Sequence, residues 1–329
     1  MAHISLTDRI YIAGHTGLVG SAILRGLKSR GYKNLIFRTR EELDLSNAKD
    51  VQAFFKEQSP EVVFIAAAKV GGIYANNTYR ADFLIQNLNI QNNIIWNALT
   101  HECKRLVFLG SSCIYPKLAQ QPIAESQLLT SNLEYTNRPY AIAKIAGLEL
   151  VDSIRKQYNK EFFSIMPTNL YGPGDNYHPK NSHVVPALLR KFHEATVNKQ
   201  DVVEVWGTGK VRREFLYSDD CASGIIFLAE QLNVQTFFSE MNNNDFSHIN
   251  LGTGEDITIK ELADLCKATT GFQGEIVYNT TYPDGPPRKL LDIGHIKSIG
   301  WESRISLDDG LKLSYDDFVS KSKDGRVRS

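Results

Sequence analysis

Arg9-Ile-Tyr-Ile-Ala13-Gly14-His-Thr-Gly17-Leu-Val-Gly20 is an apolar run that breaks into three glycines spaced three apart. Val19, Ile23, Leu24 and Leu27 then fall on one side of a helical pattern. The stretch predicts strand, tight turn, helix. Glycine permits the turn and lets the backbone approach a pyrophosphate, which is drawn to the free amides and positive dipole end of the helix. The spacing is G-x-x-G-x-x-G rather than the commoner G-x-G-x-x-G, so the flanking strand and helix carry as much of the reading as the glycines do.

Working outward, Leu35-Ile-Phe37 predicts a second strand ending in Arg38-Thr-Arg40. No acid stands at its tip to grip ribose hydroxyls, and arginines there suit the extra phosphate of NADP, although Asp44 follows a few residues later. A helix over Ala48 to Gln58 leads to Val62-Val-Phe-Ile-Ala66, a continuous apolar run of the buried parallel kind. Small residues follow in Ala67-Ala-Lys-Val-Gly-Gly72, then a helix over Tyr79 to Thr100 and a strand over Arg105 to Leu109 that runs into Gly110-Ser-Ser-Cys-Ile-Tyr-Pro116. A helix from Arg138 to Tyr158 and a strand, Phe162 to Met166, continue the alternation. The expected fold class is α/β, a Rossmann-type doubly wound parallel sheet.

Beyond Pro167-Thr-Asn-Leu-Tyr-Gly-Pro-Gly174 the alternation loosens. Helices are expected from Val184, from Asp219-Asp220 to Gln231, over Thr258 to Thr270 and over Leu307 to Val319, with strands at Val202 to Trp206, Arg212 to Tyr217 and Glu275 to Tyr278. Met241 to Asp245 is expected as a surface loop, and Tyr282 to Pro287 as a Pro/Gly loop. The expected organisation is an NADP-binding domain over 1–175, a smaller α/β substrate-binding lobe over 176–320 from which some segments return to the first domain, and a disordered charged tail over 321–329.

The chain has 329 residues, with Lys+Arg and Asp+Glu both at 37, so no global charge favours nucleic acid or an anionic membrane. No signal core opens it and no apolar run spans a bilayer, so a cytoplasmic protein is expected. Cys103, Cys113, Cys221 and Cys266 form no C-x-x-C pair, and neither a metal site nor a disulfide framework is expected.

Arg138-Pro-Tyr-Ala-Ile-Ala-Lys144 sets Tyr140 and Lys144 four apart, on one helical face with Cβ atoms about 6 Å apart. A free phenol titrates at about pH 10, so Lys144 is expected to tune Tyr140 by its positive charge. A phenol so tuned can give a proton to a ketone oxygen as hydride arrives, or take one from an alcohol. The pair alone also fits an ordinary amphipathic helix.

With the glycine turn and Ser111, the pair resembles the extended short-chain dehydrogenase/reductase family. Within it, Ala66-Ala-Ala-Lys-Val-Gly-Gly-Ile73, Gly110-Ser-Ser-Cys-Ile-Tyr-Pro-Lys117, Pro139-Tyr-Ala-Ile-Ala-Lys-Ile-Ala-Gly147, Met166-Pro-Thr-Asn-Leu-Tyr-Gly-Pro173, Asn181-Ser-His-Val184 and Pro286-Pro-Arg-Lys-Leu-Leu-Asp292 are similar to the branch that turns GDP-4-keto-6-deoxy-D-mannose into GDP-L-fucose. The resemblance implies epimerisation at carbons 3 and 5, then NADPH-dependent reduction of the carbon 4 ketone, in a homodimer. It implies Ser111, Cys113, Tyr140, Lys144 and His183 as catalytic residues. Cys113 and His183 would exchange the protons that the ketone acidifies.

For the cofactor the resemblance implies Gly14, His15, Thr16, Gly17, Leu18, Val19 and Gly20; Arg40, Glu41, Glu42, Leu43, Asp44 and Leu45; Leu109, Gly110, Ser111 and Ser112; Lys144; Pro167, Thr168, Asn169 and Leu170; and His183. For the GDP-sugar it implies Lys191, Trp206, Arg213 and Asp284. Two positions depart from the pattern: Thr16 stands where relatives often carry a phosphate-binding arginine, and Lys191 where many have the forked side chain of arginine. Other expectations are a nucleotide-sugar 4-epimerase or 4,6-dehydratase of the same family, which has no need of the Cys113 and His183 exchangers, and a non-catalytic cofactor-sensing protein, which has no need of Ser111, Tyr140 and Lys144.

Overall fold

The fully buried strand β1 (Ile10–Ala13) feeds helix α1 (Leu18–Ser29) through the glycine turn. Gly14 adopts φ +85, and a Cβ on Gly20 would lie 2.0 Å from the Gly14 carbonyl oxygen, so the turn closes only with glycine at both ends. The short β2 (Leu35–Ile36) and helix α2 (Ala48–Gln58) follow, the helix capped by Asn47 accepting from the Lys49 and Asp50 amides. Next come β3 (Val62–Ile65), α3 (Ile73–Thr78), α4 (Arg80–Thr100), β4 (Arg105–Leu109), α5 (Arg138–Tyr158) and β5 (Glu161–Pro167). The remaining elements are β6 (Asn169–Tyr171), α6 (Val184–Val197), β7 (Val202–Trp206), β8 (Arg212–Tyr217), α7 (Ser218–Gln231), α8 (Val234–Glu240), β9 (His248–Leu251), β10 (Asp256–Thr258), α9 (Ile259–Thr270), β11 (Glu275–Asn279), β12 (Arg288–Lys289), α10 (Gly294–Ile299) and α11 (Leu307–Lys323). This computed structural model describes residues 3–179, 181–240, 247–282 and 284–328, so the loop expected at Met241 to Asp245 lies outside the described residues.

Six strands form one parallel sheet in the order β2-β1-β3-β4-β5-β9. The chain runs outward from β1 to β2 and returns to β3 on the other side, so the carboxyl ends of β1 and β3 flank a switch-point crevice. Strands β1, β3 and β4 are buried along their whole length, which requires helices over both faces. On one side α2, α4 and α5 pack together, and on the other α1 packs against α7. Gly147 brings α5 close to the sheet: a Cβ there would meet Phe108 Cζ at 2.6 Å. Beside it, buried Gln91 of α4 donates to the Ala143 carbonyl at 2.6 Å and locks the two helices in register.

A second sheet is built on β8, which pairs with β10, β12 and β6, and β11 pairs with β7 alongside. A separate apolar cluster of α6, α9, α11 and these strands holds this lobe together. Strand β9, which sequence patterning did not predict, completes the six-stranded sheet from beyond the lobe's first strands. The tail expected to be disordered from 321 does not behave so in its described part. Helix α11 continues to Lys323, the Arg328 carbonyl accepts from Tyr177 N at 2.9 Å, and Val327 packs on the lobe's core. A charge-rich composition suggested solvation there, and one apolar residue with a backbone bond anchors the segment instead.

Candidate active site

At the cofactor end, the amides opening α1 have no side-chain cap, since Gly17 occupies the N-cap position. They remain available to an anion. His15 packs on Phe37 at a tilt, ring centroids 4.7 Å apart, and its Nδ1 is enclosed with no hydrogen-bond partner among the described residues. Arg38 turns back to donate to the Phe37 carbonyl, whereas Arg40 is exposed. Glu42 accepts from the Thr39 amide and Asp44 from Ser46, so neither acid is aimed at the crevice. Glycines without side chains, free helix amides, an orphaned imidazole nitrogen and an uncommitted arginine fit a phosphorylated dinucleotide.

Beyond β4 the chain enters a single 3-10 turn, Ser112 to Ile114, capped by Ser111, whose Oγ accepts from Cys113 N at 3.3 Å. Helix α5 lies across that turn and presents Tyr140. The Ser111 hydroxyl is hydrogen-bonded to the phenol. Burial raises the Tyr140 pKa, Cys113 raises it further, and the Ser111 bond opposes both. Lys144 is buried one turn on, 5.9 Å from the Tyr140 ring, and its Nζ donates to the Leu109 carbonyl at 2.8 Å. Burial lowers its pKa to about 7. The sequence expectation that Lys144 tunes the phenol by its charge is therefore not what governs the free protein: desolvation holds Tyr140 protonated. A protonated phenol is the form that donates.

Cys113 packs on a small cluster of Ala75, Phe83 and Tyr140, so thiol and phenol share one site. Its Sγ accepts from Lys289 Nζ at 3.8 Å. His183 is the N-cap residue of α6, its side chain making no cap bond. It keeps a face open to solvent, yet protein surrounds the ring, and loss of bulk water lowers its pKa. The loop before it meets the start of α3, where the N-cap residue Gly72 donates its N–H to the Asn181 carbonyl at 3.3 Å. Ser111, Cys113, Tyr140 and Lys144 thus form one group, and His183 stands at the start of α6 in the second lobe, two residues beyond the Asn181 carbonyl that accepts from Gly72.

Farther into that lobe, Trp206 stacks parallel to Tyr282, centroids 4.3 Å apart at 14°, with Lys191 Nζ 4.7 Å from the indole. Lys191 Nζ also donates to the Glu204 carbonyl at 3.1 Å; burial lowers its pKa and Glu204 opposes the shift. Asp284 accepts from Thr208 N at 3.0 Å and Thr208 Oγ1 at 2.6 Å, bridging two loops. Burial lowers the Arg213 pKa while Asp284 raises it, and Arg213 Nη1 donates to the Arg212 carbonyl. An aromatic platform with a cation over the indole, and a second cation beside Asp284, suit a base and a diphosphate.

Sequence reading missed three groups. Tyr282 was a residue of a Pro/Gly loop, and an exposed aromatic in such a loop was its only signal. Asn137, one turn ahead of Tyr140, has an enclosed Oδ1 without a partner among the described residues. Lys289 stood inside the quoted Pro286 to Asp292 segment without a role. What places it is β12, whose pairing sets Lys289 in register with Arg213.

Comparison with known proteins agrees with this geometry. The chain is 54% identical to a putative GDP-L-fucose synthase 2 of Arabidopsis thaliana, covering 94% of this chain and 90% of that protein. It is 52% identical to a GDP-L-fucose synthase of Escherichia coli (strain K12), covering 95% and 97%. A crystal structure of a GDP-L-fucose synthetase from Naegleria fowleri bound to NADP superposes with a TM-score of 0.86 at 26% identity, over 98% of this chain and 97% of that one. The model of the NAD dependent epimerase/dehydratase family matches residues 10–242, and the chain belongs to that family.

Proposed function

We propose that this protein is an NADP-dependent oxidoreductase with epimerase activity, which converts GDP-4-keto-6-deoxy-D-mannose to GDP-L-fucose. The observation that carries the reading is the shared site of Cys113 and Tyr140: a proton exchanger packs against a proton donor over one substrate position. The identity to GDP-L-fucose synthases across nearly the whole chain supports the same reading. When bound, NADPH supplies the hydride. The glycine turn from Gly14 to Gly20, Arg40 and Lys144 would hold it.

The ketone at carbon 4 acidifies the protons on its neighbours, so one carbonyl serves both halves of the reaction. Cys113 takes a proton from carbon 3 or carbon 5 while the Ser111 and Tyr140 hydroxyls hydrogen-bond the developing enolate oxygen. His183 returns a proton on the opposite face. Its lowered pKa disfavours the imidazolium in the free protein, and the negative charge of the enolate restores it. In the second half Tyr140 gives its proton to the same oxygen. Trp206, Lys191, Arg213 and Asp284 would seat the GDP moiety.

The chain divides near residue 175 into a cofactor domain and a substrate lobe, with α7 and β9 returning to the former. Two copies would pair through the outer faces of α4 and α5, where Ile85, Trp96 and Ile142 are exposed. Among the described residues no helix is long and apolar enough to cross a membrane, and we assign the protein to the cytoplasm. Incubation with GDP-4-keto-6-deoxymannose and NADPH tests the function: GDP-L-fucose is expected, and a product reduced at carbon 4 without inversion at carbons 3 and 5 would contradict it.

A further inference from the structure

We propose that Lys289 belongs to the proton-exchange site: its ammonium holds the Cys113 sulfur as a thiolate, and so determines that Cys113 rather than His183 begins each exchange as the base. The inference rests on the function proposed above, and adds to it the residue that sets the direction of proton flow.

Lys289 Nζ lies 3.8 Å from Cys113 Sγ, the hydrogen-bond partner found for it among the described residues. That approach is built by the fold, since 176 residues separate the two in sequence. Strand β12 is pinned on several sides. Leu290 N donates to Gln121 Oε1 at 2.9 Å and Leu291 N to Glu214 Oε2 at 3.0 Å. Ile123 N donates to the Leu290 carbonyl at 2.7 Å, and Asp292 N to the Ile123 carbonyl at 2.9 Å. Glu214 is itself fully buried and takes the Thr253 and Gly254 amides on its other oxygen, at 2.7 and 2.8 Å. A backbone so held delivers the lysine to one place.

The charge has few competitors. Arg213 is in register with Lys289 on β8, and like charges side by side drive the ammonium toward an anionic partner. No carboxylate of the described residues is in ion-pair contact with Lys289, and Tyr140, the other titratable group against Cys113, is held protonated by burial. A cation at this distance favours the thiolate, the form that accepts a proton.

The proton balance then closes. The Cys113 thiolate takes the carbon-bound proton and becomes a thiol, and the bonding pair moves into the ketone as an enolate. The His183 imidazolium gives its proton to the opposite face of that carbon and becomes neutral. The thiol then gives its proton to solvent, and the neutral imidazole takes one from solvent as the negative charge of the next enolate develops. Lys289 keeps its proton throughout.

The test is alkylation of the intact protein by iodoacetamide at pH 7, with the modified peptide identified by mass spectrometry. Cys103, Cys221 and Cys266 are buried, so Cys113 is the thiol that reacts. Lys289→Met should slow alkylation of Cys113 about tenfold or more, and Lys289→Arg should restore most of the rate, because the reagent reports the thiolate. NADPH binding followed by fluorescence verifies that each variant is folded. Deuterium uptake from heavy water at carbons 3 and 5 should fall in the same order. Unchanged alkylation in folded Lys289→Met overturns the proposal, and so does a loss confined to KM for the GDP-sugar, which would make Lys289 a phosphate ligand. If the unaltered protein takes up no deuterium, the epimerase reading fails while the alkylation comparison still decides the ion pair.

Discussion

The two halves of the site are built differently. Ser111, Tyr140 and Lys144 sit on the end of β4 and the first turns of α5, both part of the buried sheet layer, and a chain of short bonds through Leu109 and Gln91 fixes them. Cys113 and Lys289 come from a 3-10 turn and a two-residue strand and meet where the lobes face each other, and His183 opens a helix of the second lobe. The reducing half is preorganised by secondary structure. The proton-exchanging half exists only when the lobes are joined. A reduction that must await two inversions is well served by a fixed proton donor, while the exchangers need to reach both faces of a sugar ring.

The sharpest way to break this comparison is Tyr140→Phe. It should lower reduction about 10²- to 10⁴-fold while leaving deuterium uptake at carbons 3 and 5 measurable, as expected for loss of a general acid. Equal loss of both activities would mean that the halves are not separable. Cys113→Ser should reduce deuterium uptake by about 10²-fold, because a serine hydroxyl ionises far less readily than a thiol and supplies less base, with NADPH affinity unchanged. Normal uptake in that variant removes Cys113 from its role.

Smaller effects sharpen the account. Trp206→Ala should raise KM for the GDP-sugar about tenfold, near 1.4 kcal/mol, with kcat little altered, because the platform is remote from the reacting carbons. Steady-state kinetics distinguishes this from a fall in kcat, which would place the indole nearer the chemistry. Lys144→Met should abolish reduction yet leave the unliganded fold at least as stable near pH 7. The lysine's folded pKa, about 7, lies below its unfolded value, so between the two the unfolded chain binds the extra proton and stability of the natural protein rises with pH. The variant lacks that slope, and its advantage, about 1 kcal/mol after loss of the Leu109 bond, should shrink toward pH 10. Thermal melts at several pH values check it.

Much of the reducing half was legible in the chain because local pattern specifies it. A strand, three glycines and a helix announce the crevice, and four-residue spacing announces the Tyr140 and Lys144 face. The electrostatics were not legible: spacing suggested a charge-tuned phenol, whereas burial dominates both groups. In the second lobe His248-Ile-Asn-Leu251 gave too short a run to be recognised as the sixth strand, and its place beside β5 depends on contacts distant in sequence. Lys289 is the extreme case, since nothing near it in the chain hints at Cys113. Motif resemblance supplied Cys113 and His183, but tertiary pairing supplies the cation between the lobes.

The most direct measurement of the central claim is product analysis with GDP-4-keto-6-deoxymannose in deuterated water, with and without NADPH. The account predicts deuterium at carbons 3 and 5 in both conditions, and GDP-L-fucose only with NADPH. NADPH consumption giving a reduced sugar free of that deuterium would contradict it, leaving a simple ketoreductase and withdrawing the roles of Cys113 and His183.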